Sequence, residues 1–222
     1  YKFPAVPFIN DSIGTLPHQT KTLNITRGMM DNILFPVEAG GGKTMIYVLS
    51  ILREMQNGQQ GPFILQCPSH LVAQYVKEFV YATGGRMNIV PVTTYTIRRQ
   101  GLDRLGAMIK NAPVNTIILT DYNVITLKKR TISYGTTNVT VYPVIEFLRQ
   151  FSPQVWYSDE THLLKSQSQK QSAVNRLIAD IPKKRGASGT FVSDTIKDLV
   201  RQVALFDPSV FGTLEDFIAE HA

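Results

Sequence analysis

Two short segments of this 222-residue chain carry side chains suited to holding and cleaving a phosphate chain. They are Ala39-Gly40-Gly41-Gly42-Lys43-Thr44 and Asp159-Glu160-Thr161-His162. Glycines let a backbone curl so that its N–H groups point inward at phosphate oxygens. A helix starting at the end of such a loop adds the positive end of its dipole. Lys43 would then reach the β- and γ-phosphates and Thr44 would ligate magnesium. Asp159 could hold that magnesium directly or through water, and Glu160 could orient and deprotonate an attacking water. Taken singly, each segment has a plainer reading: a flexible glycine turn, and an exposed acidic turn. The strict phosphate-loop pattern also wants a glycine where Val37 stands. The pairing of the two segments in one chain is what argues for a nucleotide triphosphate.

The elements around them suit that chemistry. Asn32 to Val37 is apolar enough for a strand, and Met45 to Leu52 reads as a buried helix. Short apolar runs then alternate with helical stretches, which predicts a parallel sheet covered on both faces. Strands are expected at Phe63–Cys67, Asn88–Val92, Thr116–Thr120, Val155–Ser158 and, last and short, Arg185–Gly189. Helices are expected from Leu71 to Val80, closed by Gly84-Gly85, and through Leu102, Leu105 and Ile109. Further helices are expected over Val144–Phe151, Gln169–Ala179 and Asp194–Leu205, and a hairpin or irregular insertion between Leu127 and Tyr142 with Gly135 and Asn138 as turn candidates. The acidic pair would thus sit at the C-terminal end of a strand, where α/β sheets bind ligands.

A hydrophobic content of 43% supports one sizeable core and is awkward for two. No apolar run approaches a membrane span, and the opening Tyr-Lys-Phe-Pro lacks the layout of a secretory signal. Cys67 is the only cysteine and has no partner for an internal disulfide, so a reducing intracellular compartment, cytoplasmic or nuclear, is expected. The missing initiator Met suggests a piece of something longer, though processing could also remove it. Net charge is +6 with a pI near 9.4, a modest bias toward polyanions. The basic clusters Arg98-Arg99, Lys128-Lys129-Arg130 and Lys183-Lys184-Arg185 read first as solvated loops or helix ends. Trp156 and Cys67, inside apolar strands, read as core. One Cys and dispersed His give no metal-cage spacing.

With these residues in view, the chain resembles the Swi/Snf-like branch of the superfamily 2 helicases and translocases. Asp159-Glu160-Thr161-His162-Leu163-Leu164-Lys165 resembles that branch's Asp-Glu-x-His-x-x-Lys. Val37-x-x-Gly40-x-Gly42-Lys43-Thr44 resembles its motif I, which does not require the first glycine. Leu16-Pro17-His18-Gln19 stands where the branch carries a glutamine motif. Cys67-Pro68-Ser69-His70-Leu71 with Gln74-Tyr75 and Glu78 resembles motif Ia, and Leu119-Thr120-Asp121-Tyr122 motif Ib. Ser188-Gly189-Thr190 parallels motif III, and Pro208 to Gly212 a trailing Pro-x-x-Phe-Gly element. The likeness runs in order over nearly the whole chain. Departures are Tyr75 for Trp, Ser158 for an apolar residue, Phe191 for Pro and Asp194 for Asn.

The resemblance implies an α/β RecA-like P-loop domain: one ATP-binding lobe over residues 1–222, whose second lobe lies outside this chain. It implies an ATP hydrolase stimulated by nucleic acid, duplex DNA by preference, with ATP and Mg²⁺ as ligands and no membrane. By motif, Gln19 would read the adenine edge, while Gly40, Gly41, Gly42, Lys43 and Thr44 would hold phosphates and metal. Asp159 and Glu160 would take the metal and water roles, and His162 would couple the site to Ser188, Gly189 and Thr190. Pro68, Ser69, Thr120 and Tyr122 would line the nucleic-acid track, mostly through phosphate contacts. Without a second lobe, the 222 residues are expected to turn over very slowly. Other readings are an RNA helicase or restriction-type lobe of the same fold, and a non-catalytic module that uses nucleotide as a structural ligand.

Overall fold

Successive residues of a strand point to opposite sides, so a run apolar at every position must be buried on both. Phe63, Ile64 and Leu65 are each fully buried. Phe63 and Leu65 join one core and Ile64 the other. Val155 and Tyr157 divide from Trp156 in the same way. The computed structural model describes residues 16–25, 32–38, 40–112, 115–134, 137–164, 169–190, 196–210 and 219.

Its elements, in chain order, are α1 (Pro17–Ile25), β1 (Ile33–Pro36), α2 (Lys43–Gln56), β2 (Phe63–Cys67), α3 (Val72–Thr83), β3 (Asn88–Val92), α4 (Thr94–Lys110) and β4 (Thr116–Asp121). Then follow β5 (Arg130–Tyr134), β6 (Thr137–Val141), α5 (Pro143–Arg149), β7 (Val155–Asp159), α6 (Gln169–Ile178), β8 (Lys183–Ser188) and α7 (Ile196–Phe206). Six strands form a parallel sheet in the order β1-β8-β7-β2-β4-β3. Apolar residues of α2 and α3 fill the core on one face; those of α4, α5, α6 and α7 fill the other. No helix among the described residues is long and apolar enough to cross a membrane.

This is the expected α/β architecture, with three local differences. β8 begins at Lys183, two residues before the expected start, and ends at Ser188. The basic run 183–185 is therefore strand, not solvated loop. Arg185 is 3% exposed and its Nη2 lies 2.9 Å from Glu54 Oε1, while Lys183 Nζ donates to Glu54 Oε2 at 2.6 Å. Second, β5 and β6 do form a hairpin, but Asn138 pairs with Ser133 inside it and does not make the turn. Third, α4 is broken at Gly101, whose φ of 78° and ψ of 160° are not helical. Gly135, Ala39, Lys165, Phe191, Asp194, Phe211 and Gly212, all named from the sequence, lie outside the described residues.

Gly186 shows why so polar a strand packs. A Cβ there would stand 2.3 Å from Phe206 Cζ and 2.8 Å from Thr161 Cγ2, so α7 can lie against β8 only over a glycine. Phe206 in turn lies against Trp156, ring centroids 5.6 Å apart, and Trp156 is core as expected.

Candidate functional site

Parallel strands put all their C-terminal ends at one sheet edge. There β1 leads to the glycine loop, β8 ends in Ser188, and β7, its neighbour, ends in Asp159. Val37 N–H extends the pairing by donating to Ser188 O at 3.2 Å. The glycine loop and the acidic pair thereby face each other across one strand.

In the loop, Gly41 N–H donates to Glu38 O at 3.1 Å. Gly42 caps α2 in the left-handed region, φ 71° and ψ 40°, where a Cβ would also lie 2.1 Å from Gln19 Nε2. Only glycine meets both conditions. Met45 N–H already closes back onto Gly42 O at 3.0 Å. The amides of Lys43 and Thr44, first and second in the helix, have no acceptor within it. They aim the positive end of α2 at the crevice.

Lys43 reaches across that crevice. Its Nζ is 3.7 Å from Asp159 Oδ1 and forms a close ion pair with Glu160 Oε1. Asp159 is 1% exposed; its Oδ2 accepts from Tyr75 Oη at 2.8 Å, and its Oδ1 is buried with no hydrogen-bond partner. Burial pushes the Asp159 carboxyl above the usual carboxylate range, against the pull of the Tyr75 hydrogen bond and the Lys43 charge. Glu160 follows in the left-handed region, φ 54°, unusual for a residue with a side chain. Its Oε2 is 3.2 Å from His162 Nδ1, which is also 3.1 Å from Ser188 Oγ. A carboxylate and a hydroxyl oxygen can both accept, which favours the tautomer with the proton on Nδ1. Ser188 Oγ then takes the N–H of Thr190 at 3.1 Å. Lys43, Glu160, His162, Ser188 and Thr190 form one continuous polar chain, with Gly189 exposed in its last turn.

Buried phenols fix the floor beneath. Tyr47 Oη donates to Ser158 O at 2.8 Å, and Tyr122 Oη to Asp159 O at 2.6 Å. Burial raises the Tyr47, Tyr75 and Tyr122 hydroxyls well above their ordinary range, helped at Tyr47 by Tyr75 and then Asp159 and at Tyr75 by Asp159. All three therefore remain protonated donors. Ser158, which departs from the family pattern, is buried with its Oγ 2.6 Å from Tyr122 Oη.

Four expected track residues fare differently. Thr120 is fully buried, Tyr122 is 4% exposed and hydrogen-bonded under the site, and Pro68 is buried. The Tyr122 hydroxyl meets interior acceptors, whereas Thr120 Oγ1 is buried without a hydrogen-bond partner. Ser69 alone of the four is exposed, on a cleft of about 640 Å³ that Lys77, Pro91, Tyr95 and Asn123 also line. Gln19 is 4% exposed; Leu16 N–H donates to its Oε1 at 2.9 Å and its Nε2 lies 3.4 Å from Gly42 O. Its amide thus braces the glycine loop. His18 braces the same loop, with Nε2 2.9 Å from Gly41 O. Tyr47 and the hydroxyl role of Tyr75 were missed; the only sequence signal was Tyr75 in the place of Trp. Cys67 is buried, and burial raises its thiol far above the usual range, so it is inert.

No protein-family model matches this sequence, and no curated protein matches it either. A solved structure that does resemble it is the Sulfolobus solfataricus SWI2/SNF2 ATPase core in complex with dsDNA, with a TM-score of 0.71 at 17% identity. The likeness covers 93% of this chain and 38% of the other. A likeness of that extent at so low an identity is one of fold, and the fold of this chain is α/β and RecA-like.

Proposed function

We propose that this chain is the ATP-binding, first RecA-like lobe of a Swi/Snf-like, DNA-dependent ATPase or translocase, with residues 1–222 as a single lobe. The observation that carries this reading is the convergence of Lys43, Asp159 and Glu160 in one crevice at the mouth of a helix N-terminus. A triphosphate entering there would displace the Glu160 carboxylate from Lys43, since both anions compete for one ammonium. The loop amides and Lys43 would bind its phosphates, and Lys43 would offset charge building on the leaving oxygen. Freed from Lys43, Glu160 would turn to a water and take its proton as it attacks the γ-phosphorus in line. His162, between Glu160 and Ser188, would pass that movement to 188–190.

The residues present also fit magnesium. Asp159 offers a buried oxygen that lacks a hydrogen-bond partner, and Thr44 stands in the first turn of the facing helix. These two would hold the ion, which when bound would neutralise charge on the β- and γ-phosphates. The second lobe, duplex DNA and nucleic-acid stimulation belong to the same proposal. They are supported by the likeness to an ATPase core captured on dsDNA and by a span of 38% of that chain.

Two substitutions in the full-length protein test the assignment. Lys43→Ala should abolish nucleotide binding, whereas Glu160→Gln should keep binding and lower turnover by about 10²–10⁴-fold, the usual worth of a general base. Normal turnover by Glu160→Gln would remove the water-activating role. Comparing stimulation by duplex DNA, single strands and RNA separates the DNA reading from an RNA-helicase one.

A further inference from the structure

We infer that Tyr75 is a positioning residue for magnesium, holding Asp159 so that a single carboxylate oxygen is presented to the ion. The inference rests on the nucleotide-binding reading above and extends it to a residue outside the motifs' acidic and lysine positions.

Tyr75 lies on α3, on neither the strand nor the helix that carries the proposed ligands. It is 4% exposed, and its ring packs against Tyr47 and Phe79 with centroids 6.3 and 6.2 Å away. Its hydroxyl donates to Asp159 Oδ2 at 2.8 Å. A phenol has one proton, and here it is committed to that carboxylate oxygen. Tyr75 Oη and Asp159 Oδ2 thus form a directed pair that joins α3 to β7.

The pair leaves Asp159 Oδ1 buried without a hydrogen bond, 3.7 Å from Lys43 Nζ. A buried acceptor left unmade costs about 1–3 kcal/mol, so a half-satisfied carboxylate is not retained for stability. A cation completes it. The Asp159 main chain is fixed independently by Tyr122 Oη at 2.6 Å, which leaves Tyr75 the task of setting the side-chain rotation.

The experiment compares full-length wild type with Tyr75→Phe, which keeps the ring and removes one oxygen. Binding of a non-hydrolysable ATP analogue is followed by calorimetry, with magnesium titrated and again in EDTA. The magnesium needed for half-maximal binding should rise about 10–100-fold, the usual effect of losing a ligand's hydrogen-bond partner. Binding in EDTA should stay within about twofold, and the same shift should vanish in an Asp159→Asn background, since Tyr75 acts through that carboxylate. An unchanged magnesium requirement overturns the inference. So does an equal loss of binding with and without magnesium, which would make Tyr75 a packing residue only. If the phenylalanine protein does not fold, Tyr75→Met, also without a donor, takes its place with the same expectations. Wild type that binds no nucleotide in any condition overturns the nucleotide reading itself, and the inference with it.

Discussion

Asp159 concentrates the cost of this site. It is buried, its carboxyl is raised by desolvation, and Lys43 at 3.7 Å offsets that only in part. The folded protein holds this proton to higher pH than the unfolded chain does, so the ionised form destabilises the fold. That cost is absent below the unfolded carboxylate range, about pH 4, and complete once pH exceeds the raised folded value. Asp159→Asn should therefore melt higher than wild type near neutral pH without nucleotide or magnesium. The gap should close as pH falls toward about 4. For a chain of this size each 1 kcal/mol recovered would appear as about 2–4 °C. Thermal melts of both proteins across that range decide it; a lower melting point for the Asn variant at pH 7 would mean that the Lys43 pair outweighs burial. Lys43, Thr44, Asp159 and Glu160 could be read from sequence because their types and local spacing already carry chemistry. The partners of Tyr75, Tyr122 and Gln19 could not, since a phenol or an amide has as many partners as the fold brings near. Tyr122, expected by motif to line the nucleic-acid track, turns its hydroxyl inward to Asp159 O.

Among the elements, β8 is the instructive case. Its neighbours β1 and β7 were legible as apolar, β-branched or aromatic runs, whereas Lys-Lys-Arg-Gly-Ala-Ser has none of that signal. What makes it a central strand is tertiary: Glu54 near the end of α2 takes both Lys183 and Arg185, and Gly186 admits Phe206. The same pair ties the far end of α2, whose near end carries Lys43, to the strand that ends in Ser188. Because Arg185 and Glu54 are 3% and 5% exposed, removing one leaves the other buried with less compensation. Arg185→Ala should destabilise by about 3–5 kcal/mol, read as a drop in the urea midpoint with little change in slope. Replacing Glu54 and Arg185 together with Met should recover most of that loss, because a well-packed apolar pair is often no worse than a buried ionic one. An Arg185→Ala protein as stable as wild type would mean that Lys183 alone satisfies Glu54. The hairpin β5–β6 was legible for the opposite reason: its alternating Thr-rich pattern depends only on local pairing.

At the scale of the molecule, a parallel sheet gathers the C-terminal ends of its strands on one side, which explains why the groups of this site belong to loops so far apart in sequence. Edge position also limits what these residues can do alone. The crevice holding Lys43 and Glu160 is bounded by α1 on one side through Gln19 and His18, and by 188–190 on the other. In that crevice Lys43 stands between two carboxylates. Phosphoryl transfer spreads negative charge over the transferring oxygens, and one ammonium among carboxylates supplies little of the required stabilisation. Cations from a second lobe would supply it, consistent with the 38% span of the larger ATPase core. Residues 1–222 alone should therefore bind nucleotide yet hydrolyse it very slowly, and duplex DNA should not rescue them. In the full-length protein DNA should stimulate turnover, and its affinity should fall steeply with salt, because contacts to phosphates release counterions. Steady-state phosphate release by the two forms, with and without DNA, decides the matter. Robust DNA-stimulated turnover by the 222 residues alone would refute the two-lobe argument, since the missing positive charge would then have to come from within this sheet edge.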